Sequence, residues 1–386
     1  MAISTENSAI LLVGPGVRGG GAEGQFALMA RHFFAGRLPV ALLTGKPDDV
    51  AGDDSRRFHF LDWRNRWSYL RIIPAFWWLV FRGRYRVLFA FGLFPCLLAA
   101  CATLARRNKP LVIVSEITRP QKEDEIMGGL RRVLYRSLRR FAYRRAYLLT
   151  ANSIDGLQEM CAIAGLKPEK GQRLMNIIDH ESLRRRAAEP SEFARPAAHY
   201  FVCASRLDPM KRLDTVIAAL ALLPVDTEIH LLLIGDGPAR AALTAQTARL
   251  GLAGRVHFTG WMKNPAPLIK NAAALILASE YEGFSNSVLE AMFLDVPVIT
   301  SRCGADAEEM CEQGAALGFS VGDVKQLAAQ MPRLLAEPGL AEKLIGNARR
   351  YRRPHTLEES LPQYEKLLLA ALAGRASDKR CERGRP

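Results

Sequence analysis

The 386-residue sequence predicts an α/β protein built from two Rossmann-like, doubly wound domains with an interdomain cleft. Three observations indicate this fold. Apolar runs of four to seven residues alternate with segments of helical periodicity along nearly the whole chain, as in parallel sheets covered by helices on both faces. These runs fall into two sets of five. A break in periodicity at 187–198, which contains Pro190 and Pro196, separates the two sets.

The individual strands follow from the apolar runs. In the first half they are residues 9–13, 40–44, 87–91, 111–114 and 147–150, and in the second half they are 200–204, 229–234, 256–259, 274–278 and 296–300. The first domain is therefore expected to span 1–190 and the second 191–370, with 371–386 as a disordered tail. Ligands of such sheets bind at the carboxyl ends of the strands, near helix N-termini.

The positive charge is concentrated in the first half of the chain. Residues 1–150 carry 24 Lys and Arg against 11 Asp and Glu, whereas residues 151–386 carry 29 against 28. The first domain is thus expected to face an anionic partner. Seven cysteines without a C-x-x-C pair argue against a disulfide scaffold or a zinc site and favour the cytoplasm. The N-terminus lacks the pattern of a secretory signal.

One uncharged stretch raises the question of a membrane span. Residues 87–105 contain no charge over a length close to that of a transmembrane helix. The alternative divides the stretch into a buried strand at 87–91, a break at Gly92 and a helix at 94–107. The positions of Gly92 and Pro95 favour this second interpretation.

A glycine-rich turn follows the first strand. Gly14-Pro-Gly16-Val-Arg-Gly19 matches the G-x-G-x-x-G pattern of dinucleotide sites, which would make the protein an NAD(P)-dependent oxidoreductase. Such a site needs an acidic residue at the end of the second strand, and here that strand ends in Thr44-Gly45-Lys46. The oxidoreductase is therefore a disfavoured alternative. The helix that Gly20 and Gly21 open still has free N–H groups suited to a phosphate or to hydroxyl groups.

The most specific motif lies between residues 274 and 310. A loop after the strand at 274–278 carries Glu282, and Glu290 follows eight residues later in the first turns of the next helix. Both carboxylates then stand at one helix N-terminus, where N–H groups near 287–289 could hold a phosphate. The alternative for Glu290 is structural, because Ser287-x-x-Glu290 also matches a capping box. Capping does not account for Glu282.

Two cations follow the first strand of the second domain. Arg206 and Lys211 are five residues apart and could converge on a diphosphate, and the alternative is a solvated basic loop. No D-x-D occurs in the sequence. A divalent metal that bridges a nucleotide diphosphate is therefore not expected.

In this order the motifs resemble those of glycosyltransferase family 4, the retaining sugar-nucleotide transferases of GT-B fold. The resemblance covers residues 9–370. The pair Glu282 and Glu290 matches the family's E-x7-E motif, and Ser205-Arg206 with Lys211 resembles its G/S-R-x5-K motif with four intervening residues in place of five. The segment Gly20-Gly21-Ala22-Glu23 is similar to its N-terminal G-G-x-E motif.

The resemblance implies a role for each matching residue. Arg206 and Lys211 would bind the donor diphosphate and neutralise the departing nucleotide. Glu282 would hold hydroxyls of the transferred sugar, and Glu290 those of the ribose. The other donor contacts implied are Gly20, Gly21, Trp261, Gly283, Phe284, Ser285, Val288 and Leu289. The donor would be a nucleotide sugar, with UDP as the expected nucleotide. No metal or other cofactor is expected, because fixed cations and helix N–H groups favour the charge that develops on the leaving diphosphate.

The resemblance is incomplete after the strand at 111–114. Where many members carry a His, this chain has Ser115-Glu116-Ile117-Thr118-Arg119-Pro120. The segment resembles the S-E-R-x-x-P variant of a subset that builds cell-envelope glycans, with Ile117 in place of the Arg. Glu116 is expected to contact the acceptor or the donor. No catalytic base is named, because front-face attack within an ion pair would not demand one.

The basic first domain contains two unusual segments. Residues 131–145 hold seven Arg and no acid, and aromatic residues interleave with arginines between residues 63 and 86. One helical face is shared by Leu130, Val133, Leu134, Leu138, Phe141 and Ala142. Both segments predict docking on an anionic membrane, at the inner face of the cytoplasmic membrane, to reach a glycan or lipid-linked acceptor. The alternative for 131–145 is a solvated helix over an ordinary core.

A third class of function stays open beside the transferase and the oxidoreductase. The protein could bind a nucleotide sugar or a nucleic acid without catalysis. No recognised nucleic-acid motif occurs, so a nucleic acid is not expected as a partner.

Overall fold

The computed structural model describes residues 9–14, 21–35, 40–44, 58–60, 73–74, 76–78, 80, 85–104, 109–224 and 227–383. These residues form two compact units. One unit holds the described residues up to Ile177 together with those from Leu357 onward, and the other holds Ile178–Thr356.

The first unit contains a parallel sheet with the strand order β3-β2-β1-β4-β5-β6-β7. Its strands are β1 Ile10–Val13, β2 Val40–Thr44, β3 Phe58–Phe60, β4 Val87–Phe91, β5 Leu111–Glu116, β6 Leu148–Ala151 and β7 Gly171–Arg173. Its described α-helices are Gly21–Ala35, Leu93–Ala102, Pro120–Met127, Gly129–Arg144, Ile154–Ala164 and Leu357–Arg383.

Both faces of the central strands β1, β4 and β5 are buried. In β1, Leu11 and Val13 pack into one hydrophobic cluster, and Ile10 and Leu12 pack into another. Successive side chains of a strand point to opposite faces, so a continuously apolar strand needs helices on both sides. In these central strands, polar residues are thereby confined to the strand ends and the loops that follow them.

The second unit contains a parallel sheet with the strand order β10-β9-β8-β11-β12-β13. Its strands are β8 His199–Ala204, β9 Ile229–Ile234, β10 Val256–Gly260, β11 Ala274–Leu277, β12 Val298–Ser301 and β13 Leu317–Phe319. Its described α-helices are His180–Ala187, Leu213–Ala221, Arg240–Arg249, Ala266–Lys270, Asn286–Phe293, Ala305–Glu312, Val324–Ala336 and Leu340–Tyr351. The chain extends from β8 to one side through β9 and to the other through β11. The topological switch point, where such sheets bind ligands, therefore lies between β8 and β11.

The predicted α/β class and its strands are confirmed. All ten predicted strands form, with ends that differ by at most two residues. The short strands β3, β7 and β13 were not predicted from any apolar run. In β7, Gly171-Gln172-Arg173 has no apolar residue to signal a strand, because it lies at the edge of the sheet and pairs with β6.

The divided interpretation of residues 87–105 is confirmed. Val87–Phe91 is a strand in the sheet, Leu93–Ala102 is a helix, and Gly92 between them has a φ of 81°. Glycine adopts this conformation without the strain that an L side chain brings. None of the helices that the structure describes is both long and apolar enough to cross a membrane.

The structure divides the chain at places that differ from the predicted boundaries of 190 and 370. The helix His180–Ala187 belongs to the second unit, because Leu183 and Ala187 pack in its core. Residues 371–386 were expected as a disordered tail, but the helix Leu357–Arg383 extends into this segment and packs on the first unit. Leu368 and Ala371 are 0% and 1% exposed there. The apolar residues of this helix are visible in the sequence, but the sequence does not indicate which hydrophobic core they pack into.

Candidate functional site

The predicted phosphate and sugar residues lie in loops at the switch point of the second unit. The loop after β8 carries Arg206 and Lys211, and the loop after β11 carries Glu282. Since the strands are parallel and adjacent, their carboxyl ends bring these loops together.

Lys211 and Glu282 are in direct contact. Lys211 Nζ donates to Glu282 Oε1 in an ion pair whose side chains are 18% and 17% exposed. Ser279 Oγ also donates to Glu282 Oε1, at 3.2 Å. The two loops are tied by their backbones as well, because Glu280 N donates to Met210 O at 2.8 Å. The structure thus brings together two residues that the sequence separates by 71 positions.

Arg206 is exposed and lies in the same loop as Lys211, on a tightly packed backbone. Its guanidinium makes no hydrogen bond or ion pair with any residue that the structure describes. Leu207 N donates to Asp236 O at 3.1 Å, which joins the loop after β8 to the loop after β9. A Cβ on Gly235, whose φ is 133°, would lie 2.0 Å from Ser205 O. Glycine is therefore required for these loops to approach each other.

The helix Asn286–Phe293 presents its N-terminus beside Glu282. Its N-cap residue is Ser285, whose Oγ lies 3.0 Å from Ser287 Oγ. An uncapped first turn has N–H groups and a positive dipole end that suit a phosphate.

Glu290 does not cap this helix. Because Ser285 is the N-cap, Glu290 is the fifth helical residue, and the capping-box alternative is wrong. Its carboxylate makes no hydrogen bond or ion pair with any described residue. Burial raises the pKa of this carboxyl, and the positive charge of Arg186 opposes the rise. Glu290 is thus a partly buried acceptor whose hydrogen-bonding capacity is available to a ligand.

The other predicted donor contacts divide into backbone and side-chain groups. Val288 and Leu289 are fully buried, and the Phe284 ring packs on His355 with ring centroids 4.8 Å apart. These residues can therefore meet a ligand only through their backbone. Trp261 is different, because it is 74% exposed immediately after Gly260 at the carboxyl end of β10.

A small cavity beside Glu282 includes residues that the sequence analysis missed. Its volume is about 20 Å³, and besides the predicted Glu282, Gly283, Phe284 and Ser285 its lining includes Cys303, Gly304 and Asp306 and the apolar Leu277, Ala307 and Met310. Cys303, Gly304 and Asp306 follow β12, so the rule that ligands bind at strand ends could have found them. Burial raises the pKa of the Cys303 thiol to about 11, which keeps it protonated at neutral pH.

The predicted contact residue of the first unit is not on an open surface. Glu116 ends β5 and is 3% exposed, and Tyr143 Oη donates to its Oε1 at 2.9 Å. Burial raises the pKa of Glu116 to about 7. The structure therefore gives Glu116 a buried partner where an acceptor or donor contact was expected. Gly21 begins the helix Gly21–Ala35 as predicted, and Gly20 lies outside the described residues.

Within the part of the chain that the structure describes, no three His, Cys, Asp or Glu side chains gather as metal ligands would. The expectation of metal-independent chemistry stays a prediction.

Two family models match the chain. The model described as glycosyl transferases group 1 matches residues 185–351, and the model described as glycosyltransferase family 4 matches residues 19–182. The first match contains every predicted site residue of the second unit. The S-E-R-x-x-P subset stays a prediction.

Curated relatives are similar over part of their length. The lipopolysaccharide 1,6-galactosyltransferase of Salmonella typhimurium is 29% identical over 42% of this chain and 44% of its own. A Campylobacter jejuni N-acetylgalactosaminyltransferase, whose name includes a diphospho-undecaprenol-linked glycan, is 26% identical over 53% of this chain and 54% of its own. The chain spans about half the length of these relatives.

Solved structures share the fold over almost the whole chain. Anabaena HepE in complex with UDP-glucose has a TM-score of 0.74 at 18% identity, over 94% of this chain and 99% of its own. This likeness shows the fold alone, and it confirms the predicted two-domain GT-B class.

Proposed function

Because the chain belongs to the family 4 glycosyltransferases, we propose that it is a retaining, metal-independent enzyme that moves a sugar from a UDP-sugar to a glycan or lipid-linked acceptor of the cell envelope. The observation that carries this proposal is the contact between Lys211 and Glu282. Arg206 in the loop of Lys211 and Glu290 in the helix after Glu282 have no side-chain partner among the described residues. Cations for a diphosphate and carboxylates for hydroxyl groups converge at one end of one sheet.

Arg206 and Lys211 act on the leaving group. As the bond to the sugar breaks, negative charge develops on the diphosphate, and fixed cations and helix N–H groups stabilise it without reorganising. In the ligand-free protein Glu282 neutralises Lys211. When the donor binds, sugar hydroxyls donate to Glu282, and Lys211 Nζ is then available to the diphosphate.

Glu290 holds the nucleoside. An ionised carboxylate can accept hydrogen bonds from two neighbouring ribose hydroxyls, and such charge-assisted bonds are stronger than neutral ones. The carboxylate has no competing partner among the described residues. The HepE complex with UDP-glucose, which shares the fold, supports UDP as the nucleotide.

Retention of anomeric configuration follows from attack on the face that the diphosphate leaves. The departing diphosphate, held by Arg206 and Lys211, shields one side of the sugar and can accept the acceptor's proton. Glu282 is engaged by Lys211 and Ser279, so it is proposed as a hydroxyl ligand rather than as a nucleophile.

The acceptor is proposed from the relatives and from the charge of the chain. The Salmonella relative is named for lipopolysaccharide and the Campylobacter relative for an undecaprenol-linked glycan. The names of both relatives include a lipid, the second also includes a diphosphate, and the first half of this chain has an excess of cations. This supports action at the inner face of the cytoplasmic membrane.

Donor turnover tests the proposal. Purified protein is incubated with a panel of UDP-, GDP- and ADP-sugars and a membrane extract as acceptor, with UDP release and labelled product measured with and without EDTA. The proposal expects turnover of a UDP-sugar that EDTA leaves unchanged, and an α-anomeric product from an α-linked donor by NMR. An inverted product or an essential divalent metal would exclude it. UDP binding without turnover by any acceptor would favour the non-catalytic alternative.

A further inference from the structure

The junction of two helices in the first unit exposes apolar side chains. Leu130, Val133 and Leu134 of the helix Gly129–Arg144 are 85%, 61% and 53% exposed. Ile126 and Met127 of the preceding helix are 67% and 38% exposed. Single apolar residues are common on protein surfaces, but five adjacent large ones form a patch, and patches mark surfaces that another molecule covers.

Arg139 fixes this helix with its apolar side outward. The side chain is 2% exposed, and it donates to Pro120 O, to Asp124 Oδ1 at 2.5 Å and to Glu123 Oε2. Ala142 is buried on the same side. Of the apolar face predicted from the sequence, Ala142 is buried as expected, but Leu130, Val133 and Leu134 are exposed. Arg139 was predicted as a surface cation and is buried instead.

A cavity lined by three arginines lies beside the patch. Its volume is about 450 Å³, and Arg132, Arg136 and Arg140 line it at successive turns, with Ala162 and Ile163 of the neighbouring helix. The three arginines are exposed and make no hydrogen bond or ion pair with any described residue. Guanidinium groups bind phosphate through paired hydrogen bonds, so this cavity suits a phosphate group.

Nearby acids offset this charge only in part. Glu125 pairs with Lys122, whereas Glu123 and Asp124 share the single cation Arg139, so one negative charge is left over. Three arginines against one such charge leave the cavity with a net positive charge.

We propose that this arginine–leucine surface, defined as Ile126, Met127, Leu130, Arg132, Val133, Leu134, Arg136 and Arg140, docks on an anionic bilayer with one lipid phosphate seated in the arginine cavity. The aliphatic side chains enter the interface between headgroups and acyl chains, and the arginines lie at phosphate level. The inference deepens the proposed function and rests on it only for the lipid nature of the acceptor.

The composition of the surface favours lipid over nucleic acid. Single-stranded nucleic acids bind through aromatic side chains on which bases stack, and the exposed apolar residues here are aliphatic. An acyl interface takes aliphatic side chains directly.

Vesicle binding tests the charged part of this surface. The full chain is mixed with vesicles of phosphatidylcholine alone, or with vesicles in which about one third of the lipid is phosphatidylglycerol. The bound fraction is measured by flotation. The variant R132Q/R136Q/R140Q is expected to lose about 100-fold in partition coefficient on anionic vesicles, because each cation near such a surface contributes about fivefold. The matched control R185Q/R195Q/R249Q removes three exposed arginines of the second unit and should bind as wild type.

High salt separates the apolar contribution to vesicle binding from the contribution of the charges. In about 1 M NaCl, where charges are screened beyond about 3 Å, wild type should keep a residual bound fraction that L130Q/L134Q lacks. The control Leu222→Gln changes an exposed leucine of the second unit and should keep that fraction.

Two results would overturn the inference. One is equal binding of the triple Gln variant and wild type to anionic vesicles. The other is tight, arginine-dependent binding of a labelled single-stranded oligonucleotide without vesicle binding. UDP affinity of each variant, measured by calorimetry, is read in parallel. A variant that loses vesicle binding but keeps its UDP affinity supports docking through the arginine–leucine surface. Failure of the proposed function would instead appear as absent UDP affinity in the wild type.

Discussion

Tyr143 donates its hydroxyl hydrogen bond to Glu116 across 2.9 Å inside the first unit, and both side chains are buried. Burial raises the pKa of Glu116 from 4.5 to about 7 although Arg139 and the Tyr143 bond oppose the rise. Below pH 4.5 the carboxyl is protonated in both folded and unfolded chains. Between pH 4.5 and 7 the unfolded chain loses this proton while the folded chain retains it, so the folded state loses stability as the pH rises.

Glu116→Gln should therefore stabilise the protein at pH 8 and change it little at pH 5. The Gln carbonyl can still accept the Tyr143 hydrogen bond, and the gain is at most about 3 kcal/mol because one pKa unit corresponds to about 1.4 kcal/mol. Urea unfolding at the two pH values measures it. Glu342→Gln, at an exposed position, is the control and should give the same curve as wild type at both. A loss of stability at pH 8 would contradict the raised pKa of Glu116.

Replacing either of the two cations proposed to bind the diphosphate, Arg206 or Lys211, should slow the reaction. Arg206→Ala and Lys211→Ala are each expected to lower kcat about 100-fold, the scale of other lost electrostatic stabilisers. Steady-state UDP release measures the effect, and Lys270→Ala, an exposed lysine of the same unit, should leave kcat unchanged. Unaltered kcat in Lys211→Ala would remove the leaving-group role.

Glu290→Gln should weaken UDP binding without weakening the fold. The carboxylate has no described partner and is partly buried, so removing its charge costs no contact. UDP affinity should fall by about 1.5–3 kcal/mol through the loss of charge-assisted bonds to ribose. Calorimetry and thermal melting separate the two effects. Unchanged affinity with a lower Tm would indicate a structural carboxylate.

Gly235→Ala should disturb the loop that carries Arg206. The added Cβ would lie 2.0 Å from Ser205 O, and φ at this position is 133°. Such a clash with backbone forces the two loops apart, with an expected cost of about 2–4 kcal/mol in unfolding free energy and a reduced UDP affinity. Gly254→Ala is the matched control, because a Cβ there meets nothing within 4 Å. Equal stability of the two variants would contradict the close approach.

Asp295 should stabilise the second unit at neutral pH through its arginines. Arg349 Nη2 donates to Asp295 Oδ2 at 2.8 Å and Arg352 Nη1 to Oδ1 at 3.0 Å, and the Arg349 hydrogen bond is the main cause that lowers the pKa of Asp295. A lowered pKa means that the stabilisation is present above the ordinary value and is lost as the pH falls through the lowered one. Asp295→Asn tolerates the φ of 57° and should cost about 1–2 kcal/mol at pH 7, reduced by solvent screening.

The cost of Asp295→Asn should stay constant from neutral pH down to the ordinary pKa of 3.8 and shrink only below it, as followed by urea unfolding from neutral pH into the range below 3.8. Asp214→Asn breaks the more exposed pair with Arg212 and should cost about 0.5 kcal/mol or less. A cost of Asp295→Asn that stays constant below the ordinary pKa as well would exclude the ion-pair explanation.

The sequence predicted the sheets well because parallel strands buried on both faces are continuously apolar. It also predicted that Arg206, Lys211 and Glu282 follow the carboxyl ends of adjacent strands and that Glu290 lies in the next helix, and the structure has them there. Their roles in donor binding stay predictions. Contacts between residues far apart in the chain could not be predicted from it. The helix Leu357–Arg383 packs into the core of the first unit, and Arg139 is buried through its contacts with Asp124 and Glu123 in another helix.

The helix that begins at Leu357 also bears on the order in which the protein is made. Residues Ile178–Thr356 form a unit of their own, and an isolated β-bridge joins Ile178 to Thr356, so this unit is an insertion whose ends meet. The first unit also needs Leu361, Leu367 and Leu368 to complete its core. These residues are synthesised after Ile178–Thr356. The inserted unit can therefore complete its fold during synthesis, while the first unit must wait, with part of its apolar core open, until the residues from Leu357 onward have emerged from the ribosome.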